Sequence, residues 1–258
     1  MKGVLICGGS GTRLKPLTEI TNKSLLPVYD KPLILYPLQT LLDAGIKEIV
    51  IISGSEHVDQ MAGFLGSGAR FGCQFSYLVQ DEPKGIAQAL GLAERFAAGD
   101  DVCAILGDNI YFDDLSVHIR NFTKGAHLFL KEVHDPERFG VATMNGNRVV
   151  SIEEKPKVPK TNLAVTGCYV YDNRCFEIIR GLTPSARGEF EITDVTDWYA
   201  TRDLADATKL GDHWIDAGTF ESLYRAAHLV RERKLASIAA SAKEKILPKQ
   251  EATKKVSA

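Results

Sequence analysis

Residues 1–14 decide the fold and read Met1-Lys2-Gly3-Val4-Leu5-Ile6-Cys7-Gly8-Gly9-Ser10-Gly11-Thr12-Arg13-Leu14. Val4 to Cys7 predicts a short buried strand, and the glycines after it predict a tightly turning loop. Backbone N–H groups in such a loop can approach a phosphate that a Cβ would obstruct. Leu14 stands where the dinucleotide-binding pattern GxGxxG needs its third glycine, and the GK[ST] ending of the P-loop is absent. The stretch therefore predicts a strand followed by a phosphate loop that fits neither common motif.

Beyond this loop, strand-like and helix-like segments alternate up to about residue 125, as in a parallel sheet with crossover helices. The predicted strands of this half are residues 4–7, 48–52, 73–79 and 102–106. The predicted helices of this half are residues 33–44, 58–65 and 86–96.

From about residue 126 the predicted strands follow one another across turns such as Asn145-Gly146. These strands are residues 127–133, 140–144, 148–154 and 164–171, and helices are predicted at 173–180, 191–200 and 219 to about 240. We expect an α/β fold: a doubly wound, mostly parallel, Rossmann-like sheet with a mixed or antiparallel extension.

Composition excludes several classes of protein. The 258 residues carry 31 basic and 33 acidic side chains, without the basic excess of a nucleic-acid binder. No apolar run approaches the roughly 18 residues of a membrane span, and the first residues lack a signal-peptide pattern. The five cysteines are odd in number and form no CxxC pair, so we expect them reduced and mostly buried. We expect a cytoplasmic protein with no nucleic-acid or membrane partner.

Two cations and two acids carry the candidate chemistry. Arg13 can pair bidentately with phosphate oxygens, and Lys23 offers a compact ammonium ten residues later. Together they indicate a triphosphate that is held and cleaved. Asp108 follows the predicted strand 102–106, at the edge where open α/β sheets bind ligands. Asp216 precedes the last predicted helix, where it can either cap that helix or share one Mg²⁺ with Asp108.

Three segments, residues 8–14, 16–18 and 23–32, together resemble the amino-terminal signature of the sugar nucleotidyltransferases, in particular the glucose-1-phosphate thymidylyltransferases. The resemblance implies that Arg13 holds the leaving pyrophosphate and that Lys23 bridges the reacting phosphates, which makes them the predicted catalytic residues. It further implies that Asp108 and Asp216 hold a catalytic Mg²⁺. The loop residues implied to wrap the nucleotide are Gly8, Gly9, Ser10, Gly11 and Thr12.

The segment 80–89 is similar to the part of that family that reads thymine or uracil. An amide such as Gln80 can offer one donor and one acceptor to a pyrimidine edge, and Gly85 allows the ring to approach. With Asp108, these two residues complete the predicted nucleotide site. The residues implied to contact the sugar 1-phosphate are Lys23, Asn109, Gly140, Glu154, Lys155, Val165 and Tyr169; Arg187 is not assigned.

We accordingly expect one domain over residues 1–240, with a nucleotide-binding half to about 125 and a sugar-binding half from about 126. Residues 241–258 are polar and predict a poorly ordered tail. The resemblance implies a Mg²⁺-dependent transfer from dTTP to glucose 1-phosphate by direct in-line attack. It matches the shorter members of the family, which leaves end-product inhibition open, and we expect a homodimer or homotetramer.

Three alternatives stay open at this point. An enzyme that uses UTP, or another sugar 1-phosphate, would differ little from the expected one. For the nucleotide the reason is that a hydrophobic pocket discriminates one methyl group only modestly. A non-catalytic sugar-nucleotide sensor could have lost any of Arg13, Lys23, Asp108 and Asp216, yet all four are present. A nicotinamide oxidoreductase would need the missing third glycine.

Overall fold

The computed structural model describes residues 1–9 and 11–246, with only the backbone for residues 239–246. Within them the strands are β1 (Lys2–Ile6), β2 (Pro27–Val28), β3 (Lys31–Pro32), β4 (Glu48–Gly54), β5 (Gln74–Gln80), β6 (Val102–Leu106), β7 (Asn109–Tyr111), β8 (Ala126–Glu132), β9 (Gly140–Asn145), β10 (Arg148–Glu154), β11 (Leu163–Tyr171), β12 (Ala205–Lys209) and β13 (Trp214–Asp216). The helices are α1 (Leu35–Asp43), α2 (Val58–Leu65), α3 (Ile86–Leu92), α4 (Glu94–Ala97), α5 (Ser116–Arg120), α6 (Arg174–Arg180), α7 (Ile192–Ala200) and α8 (Phe220–Ile246).

One nine-stranded sheet organises these elements, in the order β5-β4-β1-β6-β11-β8-β12-β10-β9. The strands β5, β4, β1 and β6 are parallel to one another, so their carboxyl ends share one edge. Beyond β6 the pairing is mixed: β11 is antiparallel to β6 and β8, whereas β12 is parallel to β8. The expected α/β class, with a parallel first half and a mixed second half, is confirmed.

Alternation along β1 divides the core between the two faces of the sheet. Val4 and Ile6 pack in a cluster with α3, α6 and α7, whereas Leu5 lies in a second cluster with α1, α2 and α5. Because side chains of a strand point alternately to opposite faces, one apolar strand serves both layers of helices. This is the doubly wound arrangement that the alternating pattern predicts.

A smaller sheet lies at the edge where the parallel strands end. β7 and β13 pair antiparallel and place Asp216 opposite Asn109, while β2 pairs with β3. Ile110 and Ile215 pack with Ala226 of α8 in a third apolar cluster. Helix α8 thus holds this small sheet against the body of the protein.

Several elements differ from the sequence-based expectation. The predicted helix 86–96 is two helices, α3 and α4, separated at Ala93. Gly91, a weak helix former, lies where a Cβ would be 2.9 Å from Cγ2 of Ile179, so it serves close packing against α6. The last helix continues past the expected end near residue 240 to Ile246, over Ala, Lys and Glu residues that favour helices. Residues 247–258 of the predicted tail lie outside the described part of the chain.

All five cysteines are free and buried, as expected. Among the described residues, no helix is both long and apolar enough to cross a membrane.

Replacing Ile51 by alanine should destabilise the whole protein. Ile51 of β4 is fully buried in the second cluster, so its loss leaves a cavity and should lower the free energy of unfolding by about 2–5 kcal/mol. The matched control is Ile20→Ala, because Ile20 is 78% exposed and should change stability little. Urea unfolding followed by circular dichroism measures both variants, and equal midpoints would contradict the assigned core.

Candidate active site

One large cavity, of about 660 Å³, opens at the carboxyl edge of the parallel strands. Parallel α/β sheets bind their ligands at this edge, because successive loops diverge there. The predicted site residues that line it are Gly8, Gly9, Arg13, Lys23, Gln80, Gly85, Asp108, Asn109, Gly140, Glu154, Lys155, Val165, Tyr169 and Asp216. Residues more than 200 positions apart in sequence therefore share one site.

The segment that carries Lys23 is tied to the end of β1 by a buried asparagine. The side chain of Asn22 donates to the carbonyl of Cys7 at 2.9 Å and accepts from the N–H of Ser24 at 2.8 Å. Its exposed fraction is 3%. Because both ends of the amide are bonded, the turn at Lys23 is held against the start of the glycine loop.

Lys23 and Asp108 form an ion pair at the base of the cavity through Nζ and Oδ2. Burial disfavours both charges, but the pairing more than offsets it: the pKa of Asp108 is lowered and the pKa of Lys23 is raised. The second oxygen of Asp108, Oδ1, accepts from Nδ2 of Asn109 at 2.8 Å. Both groups are therefore charged at neutral pH, in a site largely screened from water.

Asp216 reaches the same place through the small sheet. It is opposite Asn109 in the β7–β13 pair, and the N–H of Ala217 donates to the carbonyl of Asp108 at 2.9 Å. Burial, reinforced by the nearby Asp108 carboxylate, raises the pKa of Asp216 to about 6. Its Oδ1 is buried and has no hydrogen-bond partner among the described residues. A buried acceptor without a donor, beside a second carboxylate, fits a cation better than a helix cap.

Two carboxylates converge here, and the described residues contain no group of three or more His, Cys, Asp or Glu arranged to hold a metal. An ion at this position would thus be completed by oxygens from bound phosphates and water. Mg²⁺ is typically bound in this way, by one or two carboxylates together with substrate phosphates.

Gly8, Gln80 and Gly85 form one end of the cavity. Gln80 is 5% exposed, and a Cβ on Gly8 would lie 2.1 Å from its Oε1, so the amide oxygen occupies the space above the loop. Gly85 has φ +109°, and a Cβ there would lie 2.4 Å from the carbonyl oxygen of Phe190. Glycine at 85 is therefore required both by its conformation and by the close approach of another segment.

Glu154 organises another end of the cavity, defined here by its contacts with Thr193, Arg187, Lys155 and Gly140. Its Oε2 accepts from Oγ1 of Thr193 at 2.5 Å, and its Oε1 is 3.3 Å from Nη1 of Arg187. Lys155 follows with Nζ 3.7 Å from the same Oε1. Gly140 packs against this group, since a Cβ there would lie 3.4 Å from Glu154 Oε2. This end offers carboxylate oxygens for hydroxyl groups and two cations for a phosphate.

The remaining predicted loop residues have other positions. Gly11 and Thr12 are not among the cavity-lining residues. Gly11 has φ +58°, and a Cβ there would lie 2.8 Å from Cγ2 of Thr18, so this glycine serves the turn itself. Ser10 lies outside the described residues.

Trp214 and Phe139 are among the cavity residues that were not predicted from the sequence. The indole N–H of Trp214 donates to Oδ1 of Asn109 at 2.6 Å, and the Phe139 ring packs edge-on against it at 5.3 Å between centroids. Trp214 stands two positions before Asp216, on the same face of β13, a relation that can be seen only once β13 is known to be a strand. Phe139 has no comparable local signal.

Comparison with known proteins gives results that agree with this geometry. Residues 2–233 match the family model described as nucleotidyl transferase. A glucose-1-phosphate thymidylyltransferase from Neisseria meningitidis is 48% identical over 238 residues, which is 90% of this chain and 83% of the relative. A protein of the same name from Mycobacterium tuberculosis is 44% identical over 237 residues, 90% of this chain and 82% of the relative.

Two solved structures share the fold. A candidate glucose-1-phosphate thymidylyltransferase from Bacillus anthracis, in complex with a sucrose, is 48% identical with a TM-score of 0.85, covering 90% of this chain and 95% of that chain. A UDP-glucose pyrophosphorylase complexed with UDP-glucose is 25% identical with a TM-score of 0.80, covering 90% and 98%. From the match over residues 2–233 and from these relatives, the chain belongs to the nucleotidyl transferase family.

Proposed function

We propose that this protein is a glucose-1-phosphate thymidylyltransferase, which converts dTTP and glucose 1-phosphate into dTDP-glucose and pyrophosphate. The observation that carries the proposal is the Lys23–Asp108 ion pair, beside Asp216, in a cavity that Gln80, Gly85, Glu154 and Lys155 also line. A transfer between two phosphates needs positive charge where the two substrates meet, which here would come from Lys23, Arg13 and the cation that the two carboxylates would hold. Relatives of that name at 44–48% identity support the choice of reaction.

The chemistry is a direct displacement. An oxygen of the sugar phosphate forms a bond to the α-phosphorus of the nucleotide while the bond from that phosphorus to the pyrophosphate oxygen breaks. A phosphate monoester is already an anionic nucleophile, so the protein's contribution is position and charge rather than a general base. The Lys23 ammonium neutralises the reacting phosphates, and the Arg13 guanidinium pairs with the departing pyrophosphate.

Asp108 and Asp216 are the residues that would hold Mg²⁺, and the orphaned Oδ1 of Asp216 supports this assignment. When bound, the ion supplies charge neutralisation at the phosphate oxygens. In this structure Lys23, paired with Asp108, is directed at the same place.

The two ends of the cavity fit the two substrates. Gln80 and Gly85 are suited to a pyrimidine edge, while Glu154 and Lys155 are suited to sugar hydroxyls and the sugar phosphate. The sugar-side roles of Asn109, Gly140, Val165 and Tyr169 belong to the same proposal. UTP is the nearest competing nucleotide, because uracil differs from thymine by one methyl group.

An oligomer of identical subunits is also part of the proposal. Helix α8 exposes the apolar side chains of Tyr224, Leu235 and Ile238, and burial of such side chains between subunits supports this part of the proposal.

A matrix of nucleoside triphosphates against sugar 1-phosphates, scored by pyrophosphate release, tests the reaction itself. We expect the highest kcat/KM for dTTP with glucose 1-phosphate and a value about 10-fold lower for UTP, since one methyl group is worth about 1–3 kcal/mol. A higher value for UTP would make the protein a uridylyltransferase. If none of the triphosphates gave pyrophosphate release, the result would favour a non-catalytic sensor.

Replacing Lys23 by alanine should lower kcat/KM by about 10²–10³, the loss typical of removing one group that stabilises transition-state charge. Lys15→Ala is the matched control, because Lys15 is exposed and pairs with Glu19 at 3.9 Å on the surface. We expect the control to stay within about twofold of the wild type. Near-normal turnover of Lys23→Ala, in a variant that unfolds at the wild-type temperature, would refute the role of Lys23.

Replacing Asp216 by asparagine should raise the Mg²⁺ concentration needed for half-maximal activity and lower kcat, because one of two anionic ligands is lost. Asp212→Asn is the control, since Asp212 pairs with Arg233 away from the cavity. Magnesium titrations after chelation measure both variants. An unchanged Mg²⁺ dependence in Asp216→Asn, or full wild-type activity in excess EDTA, would contradict this metal site.

A further inference from the structure

Gln88 lies in the first turn of α3, and Gly85 directly precedes that helix. It is half-buried, and its Oε1 accepts from Nε2 of Gln80 at 2.5 Å. The same nitrogen of Gln80 lies 3.5 Å from the carbonyl oxygen of Gly85. The NH₂ group of Gln80 therefore faces two acceptors.

The orientation of this amide has chemical consequences. An amide side chain presents a donor at its nitrogen and an acceptor at its oxygen, and a half-turn exchanges them at nearly the same positions. With Nε2 directed at Gln88 and Gly85, Oε1 is the atom left above Gly8, at the cavity wall. If Gln80 alone turned over, its oxygen would face two acceptors; if Gln88 turned over with it, that oxygen would still face the Gly85 carbonyl without a donor.

We propose that Gln88 is a positioning residue that fixes the orientation of the Gln80 amide, so that an acceptor rather than a donor meets the nucleobase. The inference rests on the proposed function and deepens it. Thymine and uracil carry a donor at N3, whereas cytosine carries an acceptor there. Gln88 thus contributes to selection of a base with an N3–H over cytosine, without touching the nucleotide.

The test compares dTTP, UTP and dCTP with glucose 1-phosphate in the wild type and in Gln88→Met. Methionine keeps the length of the side chain but removes the acceptor, so Gln80 can turn over. We expect kcat/KM for dTTP and for UTP to fall together by about 10-fold through KM, the value of one hydrogen bond in a buried site. The ratio of dTTP to dCTP should fall at least as much, with kcat for dTTP within about twofold of the wild type.

Three variants complete the design. Gln88→Glu keeps an acceptor toward Gln80 and should restore the wild-type dTTP to dCTP ratio. Gln88→Lys offers only donors, which favours the turned-over amide, and should lower the ratio further. Gln74→Leu removes an exposed amide from the same strand as Gln80 and should leave the ratio unchanged.

The outcomes are distinct. A structural role for Gln88 in packing α3 would change kcat/KM for dTTP and dCTP equally, and the inference is then wrong. An unchanged ratio in both Gln88→Met and Gln88→Lys also overturns it; if the methionine variant does not fold, the lysine variant alone decides. Failure of the proposed function is separate, because the wild type would then release no pyrophosphate from dTTP.

Discussion

The pairing of Lys23 with Asp108, away from most solvent, is the constraint on which the site depends. Two buried charges need each other: loss of one partner of such a pair typically costs about 3–5 kcal/mol, because the other charge stays uncompensated. The protein meets this demand with two separate attachments. Asn22 ties the Lys23 turn to the end of β1, and the strand β6 delivers Asp108 to the same edge. The parallel order of β1 and β6 makes these two strand ends neighbours.

Asn109 extends this constraint to the rest of the cavity. Its Oδ1 accepts from the indole of Trp214 at 2.6 Å and from the N–H of Gly167 at 3.3 Å, so its Nδ2 is left to donate to Asp108. One buried amide therefore connects the charged pair to β11 and to β13. The position of the charged pair and the shape of the cavity wall formed by β11 and β13 are therefore set together.

The sequence predicted most of the regular elements because their patterns are strong. Strand β6 is apolar throughout and β10 follows the Asn145-Gly146 turn, and both have the predicted bounds. β12 was missed because its residues, Ala-Asp-Ala-Thr-Lys, have little strand propensity. It is a strand because β8 and β10 bond to it on both sides, which is information that lies in other parts of the chain. The three-residue strands β7 and β13 are too short to show any period.

The same distinction applies to the site. Residues within the quoted motifs, such as Lys23 and Gln80, were identified from local sequence, and the structure brings them into one cavity. The contacts between motifs could not be predicted in this way. Neither the hydrogen bond from Trp214 to Asn109 nor the pairing of Gln80 with Gln88 leaves a local signature, since each depends on how separate segments pack.

The pairing of β7 with β13 also has a consequence for biosynthesis. Asp216 joins Asp108 only after more than 100 further residues have been made, since 108 positions separate the two carboxylates in sequence. A nascent chain holds the glycine loop and both partners of the ion pair long before it holds the second acid. The two carboxylates can thus come together only after residue 216 has left the ribosome, and a shorter nascent chain lacks this pair of acids.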